Sequence, residues 1–198
     1  MQTLIDHARS FRDRAGAGRG DLSLAALADG QSPEALFITC SDSRVVPSLI
    51  TGARPGELFE LRTAGNAVPP YRPEHPSGEA ATIEYAVAAL GISDIVVCGH
   101  SHCGAVGARV RGEDLDALPA VRNWLRASFA DGLPAGDDPL VAAAVQSHVL
   151  AQLDRLRAYP CVREGLGAGS LRLHGWFYEI HTGGVLVHDA GEDCFLPL

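Results

Sequence analysis

The sequence predicts an α/β fold: a parallel β-sheet core flanked by helices, with an N-terminal helical arm and a C-terminal β-hairpin. Three observations lead to this prediction. Short apolar runs typical of strands buried on both faces alternate with amphipathic helical stretches. The N-terminal stretches 2–14 and 21–29 look helical, and two alternating runs near the C-terminus flank a Gly-Gly turn. We expect one domain over residues 1–198, with the arm in 1–30 and the core in 31–198.

Composition narrows the classes of protein to which the chain can belong. Its 198 residues are 46% hydrophobic, which is enough apolar surface for one sizeable core. The net charge of −8, without a basic run, argues against a nucleic-acid partner. The sequence has no apolar stretch of about 18 residues and no signal-peptide core, so we expect no membrane segment. Five cysteines without a disulfide framework are typical of a reducing compartment, and we expect a cytoplasmic location.

The elements follow one another in the order strand, helix, strand. The glycines of residues 15–20 (AGAGRG) predict a break inside the arm. A helix over 79–90 ends at Gly91, and the strands on either side of it therefore pair in parallel through right-handed crossovers. The predicted strands span 35–40, 57–62 and 94–98, the later helices span 103–110, 118–129 and 139–157, and the hairpin strands span 171–180 and 185–189.

The last predicted helix has both a start signal and a buried face. Asp138 is the candidate N-cap and Pro139 occupies the first helical position. Val149, Leu153 and Leu156 recur at helical spacing. We expect these three side chains to face the sheet.

Two candidate metal ligands lie at the ends of predicted strands. Cys40 ends the first strand and His100 directly follows the third, and the carboxyl ends of parallel strands meet at one edge of a sheet. Cys103 follows three residues after His100, on the first turn of a helix whose N-terminus favours a thiolate. Two thiolates and one imidazole match a catalytic zinc site, which leaves a fourth position for water. Zinc lowers the pKa of such a water to about 7, which makes a hydroxide nucleophile available.

Asp42 and Arg44 follow the first candidate ligand in a loop between strand and helix. A bidentate contact from Arg44 would hold Asp42 ionised, and Asp42 would then orient the nucleophile toward a small electrophile. Taken alone, a cysteine near an Asp-x-Arg sequence also fits a core thiol beside a surface ion pair. The HSHC sequence at residues 100–103 favours the metal site.

Longer motifs resemble the signature sequences of the β-class carbonic anhydrases. They are CSDSR at 40–44, PGELFELRTAGN at 55–66, GHSHCGA at 99–105 and LHGWFYEIHTG at 173–183, while GQSP at 30–33 resembles the plant-like branch. The resemblance implies reversible hydration of carbon dioxide to bicarbonate and a proton, by attack of a zinc-bound hydroxide. It implies one Zn²⁺ per subunit on Cys40, His100 and Cys103, and a catalytic dyad of Asp42 and Arg44.

The resemblance also implies a substrate pocket at a subunit boundary, and hence a homodimer or tetramer in which the arm wraps a neighbour. The pocket lining falls on Gln31, Phe59, Tyr85 and the backbone amide of Gly104. Without the resemblance, Phe59 and Tyr85 are read as core residues and Gln31 as a loop residue. Ala64 is smaller than the aliphatic residue of the plant-like branch, which predicts a looser wall.

Another branch of the family is regulated by bicarbonate in a non-catalytic pocket. Phe37 and Thr39 stand where that branch has Trp and Gly, so we expect no such regulation. Arg62 matches that branch's arginine and equally fits a structural ion pair. An arrangement in which Asp42 is itself the fourth ligand stays open at this stage.

Two other functions compete with hydration of carbon dioxide. Some relatives hydrolyse carbonyl sulfide or carbon disulfide at the same kind of site, although this chain has no insertion that would reshape the entrance. A non-catalytic zinc-binding regulatory domain predicts loss of the dyad, whereas Asp42 and Arg44 are both present. Of the other candidate side chains, Cys98 is read as a small core residue and His102 as a hydrogen-bonded imidazole rather than a proton carrier.

Overall fold

A six-stranded sheet in the order β2-β1-β3-β4-β5-β6 forms the centre of the fold in the computed structural model, which describes residues 1–17, 24–129, 133 and 141–198. The strands are β1 Ala35–Cys40, β2 Leu58–Thr63, β3 Asp94–His100, β4 Arg172–Tyr178, β5 Val185–Asp189 and β6 Cys194–Pro197. The first four strands pair in parallel, and β5 and β6 are antiparallel additions at one edge. The predicted fold class is confirmed, including the hairpin of β4 and β5.

Helices cover the sheet and form the arm. They are α1 Gln2–Arg9, α2 Phe11–Ala17, α3 Leu24–Leu27, α4 Pro47–Thr51, α5 Gly78–Glu84, α6 Gly104–Arg111, α7 Pro119–Ser128, α8 Ala142–Arg157 and α9 Pro160–Gly167. A π-helical turn, Tyr85–Ala89, continues α5, and a 3₁₀ turn, Ala64–Asn66, follows β2. Within the described ranges, no helix has the length and apolar character needed to span a membrane.

The arm breaks earlier than predicted. The first helix ends at Ser10, whose hydroxyl donates to the carbonyls of Asp6 and His7 and so competes with the helical backbone. Helix α2 then continues to Ala17, so the predicted break is wrong at 15–17. One glycine inside a helix costs only about 1 kcal/mol, which a helix tolerates. The rest of the predicted break, 18–20, lies outside the described residues.

Boundaries elsewhere differ by a few residues. Strand β2 begins at Leu58 because the Glu57 carboxylate closes the preceding turn, accepting from the backbone N–H and the Nε of Arg54 at 2.7 and 2.8 Å. Strand β3 runs to His100, two residues beyond the predicted end, because β4 pairs with it as far as Tyr178. Asp138 and Pro139 lie outside the described residues, and α8 begins at Ala142.

Helix α8 packs across β3 and β4 and closes one side of the core. The predicted stripe of Val149, Leu153 and Leu156 is buried. The helix approaches the sheet at two glycines: a Cβ at Gly99 would overlap Val145, and a Cβ at Gly175 would lie 3.2 Å from Val149. This close packing holds α8 directly behind the carboxyl ends of the central strands.

Candidate metal centre

Three side chains converge where β1 and β3 end. Cys40 is the last residue of β1, His100 is the last residue of the neighbouring β3, and Cys103 is the N-cap residue of α6. The candidate ligand atoms of these three buried residues all lie within 4.8 Å of one another, and they form the one such group found in the described part of the chain. The strand ends and the short turn after β3 therefore bring together the ligand set that the sequence predicts.

The His100 ring has the tautomer that a metal ligand requires. Its Nδ1 lies 2.9 Å from the carbonyl oxygen of Ser101, and because a carbonyl only accepts, Nδ1 carries the hydrogen. The neutral ring then has its lone pair on Nε2, which is buried and has no hydrogen-bond partner. A buried acceptor without a partner is unfavourable unless something else occupies its lone pair. The His100 ring therefore fits a metal ion.

The two thiols interact strongly with each other. The Cys103 thiol lowers the pKa of Cys40 to about 4, and the resulting Cys40 thiolate raises the pKa of Cys103. The N–H groups of Val106 and Ala105 at the start of α6 oppose that rise. Two adjacent sulfurs and an imidazole nitrogen are the donor set that zinc prefers, and a cation between the sulfurs would let both lose their protons.

Asp42 lies beside this group and is held by Arg44. Both carboxylate oxygens are engaged, Oδ1 by Nε at 3.0 Å and Oδ2 by Nη2 at 2.7 Å, and the backbone N–H of Arg44 also donates to Oδ1. The Arg44 side chain is the main reason that the pKa of Asp42 lies well below its usual range. Asp42 is thus a fixed carboxylate at neutral pH, and it is not part of the three-residue group.

Arg62 stabilises the loop that carries Asp42. Its guanidinium donates to the carbonyl oxygens of Cys40, Asp42 and Val45 at 2.9, 2.8 and 2.7 Å. The carbonyls of Asp42 and Val45 lie beyond the end of β1, and that of Asp42 also accepts from the backbone N–H of Val45 at 3.0 Å. From the sequence, Arg62 fits either the arginine of the bicarbonate-regulated branch or a structural ion pair. The structure shows that its guanidinium binds the backbone of this loop.

The four predicted pocket residues are only partly brought together in one chain. The rings of Phe59 and Tyr85 lie 6.1 Å apart, and half of Tyr85 is exposed. Gly104 is exposed at the start of α6, directly after Cys103, and Gln31 is exposed ahead of β1.

The structure also locates Cys98 and His102. Cys98 is fully buried inside β3, and burial raises the pKa of its thiol to about 12, as expected for a core residue. The backbone carbonyl of His102 accepts from Arg44 Nη2 at 3.3 Å, and its exposed ring lies 6.2 Å from the ring of His181.

A polar face of α8 was missed in the sequence. His148 and Gln152 are fully buried, and with Arg155 and the following Tyr159 they recur at intervals of four, three and four residues. That is helical spacing, and it was the available signal. One further contact matters for the metal centre, since the Gly65 N–H donates to the Cys40 sulfur at 3.3 Å. Nothing in the sequence pattern indicates this contact.

The fold and these side chains define an α/β protein with a candidate metal centre at the carboxyl edge of its sheet. Comparison with known proteins then gives the family. A family model described as carbonic anhydrase matches residues 35–185. A carbonic anhydrase of Pseudomonas aeruginosa is 47% identical over 204 residues, covering 100% of this chain and 92% of that protein. The chain belongs to the β-carbonic anhydrase family, and carbonic anhydrases are lyases.

Solved structures agree with this assignment. The β-carbonic anhydrase CcaA superposes with a TM-score of 0.91 at 41% identity, over 100% of this chain and 99% of that one. A tetrameric β-carbonic anhydrase of Sordaria macrospora has a TM-score of 0.80 at 32% identity, with coverage of 99% and 100%. The family prediction made from the motifs is confirmed.

Proposed function

We propose that this carbonic anhydrase catalyses reversible hydration of carbon dioxide with one zinc ion per chain, held by Cys40, His100 and Cys103. The observation that supports it most is the convergence of these three buried donors within 4.8 Å. The Nε2 of His100 has no hydrogen-bond partner and supports it further, because a metal ion between the three donors would bind that lone pair.

Zinc bound at this site would supply Lewis acidity, which makes water nucleophilic near neutral pH. The chain's own contribution is orientation. Because Arg44 occupies both oxygens of Asp42 from one side, the carboxylate keeps a fixed direction and stays ionised. Asp42 can then accept a hydrogen bond from the attacking water and direct its lone pair toward carbon dioxide. Arg62 keeps that loop in place by binding its carbonyl oxygens.

The substrate pocket in this proposal is shared between two chains. Phe59 and Tyr85 form an apolar wall suited to a small nonpolar gas, and Gly104 offers a backbone N–H beside Cys103. Gln31 would be supplied across a subunit boundary. The proposal therefore includes a homodimer or tetramer, and the tetrameric Sordaria relative supports it.

Three further expectations belong to the same proposal. Residues 1–30 are an arm that contacts a neighbouring chain, an expectation supported by α1, which buries none of its residues in its own chain. Residues 31–198 form the catalytic core. The five cysteines are all free, which supports the cytoplasmic location expected from composition.

The test is rapid mixing of zinc-loaded protein with carbon dioxide, followed by a pH indicator, together with zinc content per chain. We expect about one zinc per chain and proton release far above the buffer rate. Carbonyl sulfide, assayed in parallel by sulfide release, is the matched alternative substrate. Faster turnover of carbonyl sulfide would replace the proposed reaction, and absence of zinc would refute the ligand assignment.

A further inference from the structure

One face of α8, together with Tyr159 two residues beyond its end, binds the backbone of residues 65–69, the segment that follows β2. We call His148, Gln152, Arg155 and Tyr159 the α8 polar stripe. The contacts are His148 Nε2 to Gly65 O at 2.9 Å, Val68 N to Gln152 Oε1 at 2.8 Å, Arg155 Nη1 to Val68 O at 3.3 Å and Tyr159 Oη to Pro69 O at 2.8 Å. Polar side chains in an apolar core are costly unless they have hydrogen-bond partners. The buried members His148, Gln152 and Tyr159 each have one, and so does the partly exposed Arg155.

Gly65 connects this stripe to the candidate metal centre. Its N–H donates to the sulfur of Cys40 at 3.3 Å, while its carbonyl accepts from His148. Its φ of 74° lies in the left-handed region, and a Cβ there would meet Phe129 at 2.7 Å and Ala105 at 3.0 Å. The backbone of Gly65 therefore has one tightly packed position, and that position aims the N–H at the sulfur.

His148 is held in a single tautomer. Gln152 Nε2 lies 3.3 Å from Nδ1, and because Oε1 of the same amide accepts from Val68, the amide nitrogen is a donor. Nδ1 is thus the acceptor, and Nε2 carries the hydrogen that it gives to Gly65. The ring stacks on Phe129 with centroids 4.0 Å apart. Burial lowers the pKa of His148 to about 4, which keeps the ring neutral near pH 7.

We propose that His148 is a positioning residue for the metal centre: it holds Gly65 so that the Gly65 N–H supports the Cys40 sulfur as a ligand. This inference rests on the proposed function for the identity of the ligand. A backbone N–H that donates to a thiolate stabilises its charge and restricts its position. Loss of such an outer contact typically costs 10- to 100-fold in metal affinity.

The experiment compares two substitutions in the α8 polar stripe: His148→Phe loses the bonds to Gly65 and Gln152, and Tyr159→Phe loses one bond. His148→Phe keeps an aromatic ring against Phe129 but cannot donate to Gly65. Tyr159→Phe, the matched control, loses only its bond to the carbonyl of Pro69. Zinc-loaded proteins are mixed with excess chelator at neutral pH, and zinc release is followed by a colorimetric indicator. Amide hydrogen exchange of the peptide that contains Gly65 is measured on the same samples.

We expect zinc release from His148→Phe to be about 10-fold faster than from the wild-type protein, by the usual cost of such contacts. Tyr159→Phe should stay within about twofold of wild type, and His148→Gln, which restores an N–H donor, should recover most of the loss. Exchange at Gly65 should rise only in His148→Phe. Should that variant not fold, His148→Met replaces it, since methionine also lacks an N–H donor for the Gly65 carbonyl.

If zinc release is accelerated equally in His148→Phe and Tyr159→Phe, His148 has only a structural role. If zinc release from His148→Phe is unchanged, the proposal is overturned. Failure of the proposed function has a different signature. A wild-type protein that holds zinc but does not hydrate carbon dioxide refutes the reaction and leaves the zinc-release comparison intact. If the wild-type protein holds no zinc, Gly65 exchange in the metal-free variants still decides whether His148 holds this backbone.

Discussion

Two carboxylate–guanidinium pairs of nearly the same geometry lie at opposite ends of the parallel strands. Arg44 contacts Asp42 at 3.0 and 2.7 Å, and Arg172 contacts Asp94 at 2.8 and 2.6 Å. In each pair the arginine is the main reason that the pKa of the aspartate is low. Judged by ion pairing and pKa alone, the two aspartates are equivalent.

Their positions along the strands are what separate them. Asp42 follows the carboxyl end of β1, two residues beyond Cys40, whereas Asp94 opens β3 at its amino end. His174 Nε2 lies 2.8 Å from Asp94 Oδ1. Among the described residues, however, no group of candidate metal ligands includes Asp94. A perturbed pKa therefore indicates a site only when the fold also brings reactive groups together, and in a parallel sheet that happens at the carboxyl edge.

The largest effect should come from removing a metal ligand at that edge. Cys103→Ser replaces a thiolate with a hydroxyl, which stays protonated at neutral pH and is a poor zinc ligand. We expect zinc per chain to fall from about one to about a tenth or less after dialysis, as measured by atomic emission.

Cys98→Ser is the matched control for that change, because Cys98 is an equally buried thiol inside β3. It should lower stability while zinc stays near one per chain. Full zinc content in Cys103→Ser, or comparable loss in both variants, would contradict the ligand assignment.

The next largest effect compares the two aspartates directly. Asp42→Asn keeps the shape of the side chain but makes it a weaker, uncharged acceptor. We expect kcat/KM for carbon dioxide hydration to fall about 100-fold or more with zinc content unchanged, in line with the usual contribution of a positioned acid or base. Stopped-flow proton release measures it.

Asp94→Asn removes the same charge from a pair of the same geometry, so it should leave kcat/KM within about twofold of the wild-type value. Similar losses in the two variants would mean that Asp42 acts through overall charge or stability. Activity that is unchanged in Asp42→Asn would remove Asp42 from the mechanism.

The central strands and the three converging donors were predictable because local signals set them. Ala35–Cys40 is a continuous apolar run, and a parallel strand pair forces its carboxyl ends to one edge, so Cys40 and His100 meet without further information. Helix α9 also had a readable start, since Pro160 occupies its first turn, but the prediction omitted it.

The surroundings of the site were not predictable, because they depend on contacts distant in sequence. His148 and Gly65 are 83 positions apart, and Arg62 binds carbonyls 17 to 22 positions away. Backbone groups serve as partners in each case, and no residue type marks them. The early break at Ser10 was missed for a different reason, since the hydroxyl competes locally with a helix that composition favours.

The smallest predicted effect is the contribution of the Asp94–Arg172 pair to the stability of the fold. Because Arg172 and His174 hold the folded pKa of Asp94 below its unfolded value of about 4, the pair stabilises the fold above pH 4 and loses that contribution as pH falls below it. The Arg172 side chain is 68% exposed, so we expect only about 1 kcal/mol between the wild-type protein and Asp94→Asn at pH 7. Urea unfolding at equal protein concentration should show this difference at pH 7 and a smaller one at pH 3. Asp154→Asn, from a pair whose aspartate is 77% exposed, should change stability less at either pH. A difference that grows toward low pH would mean that Asp94 is not the stabilised carboxylate.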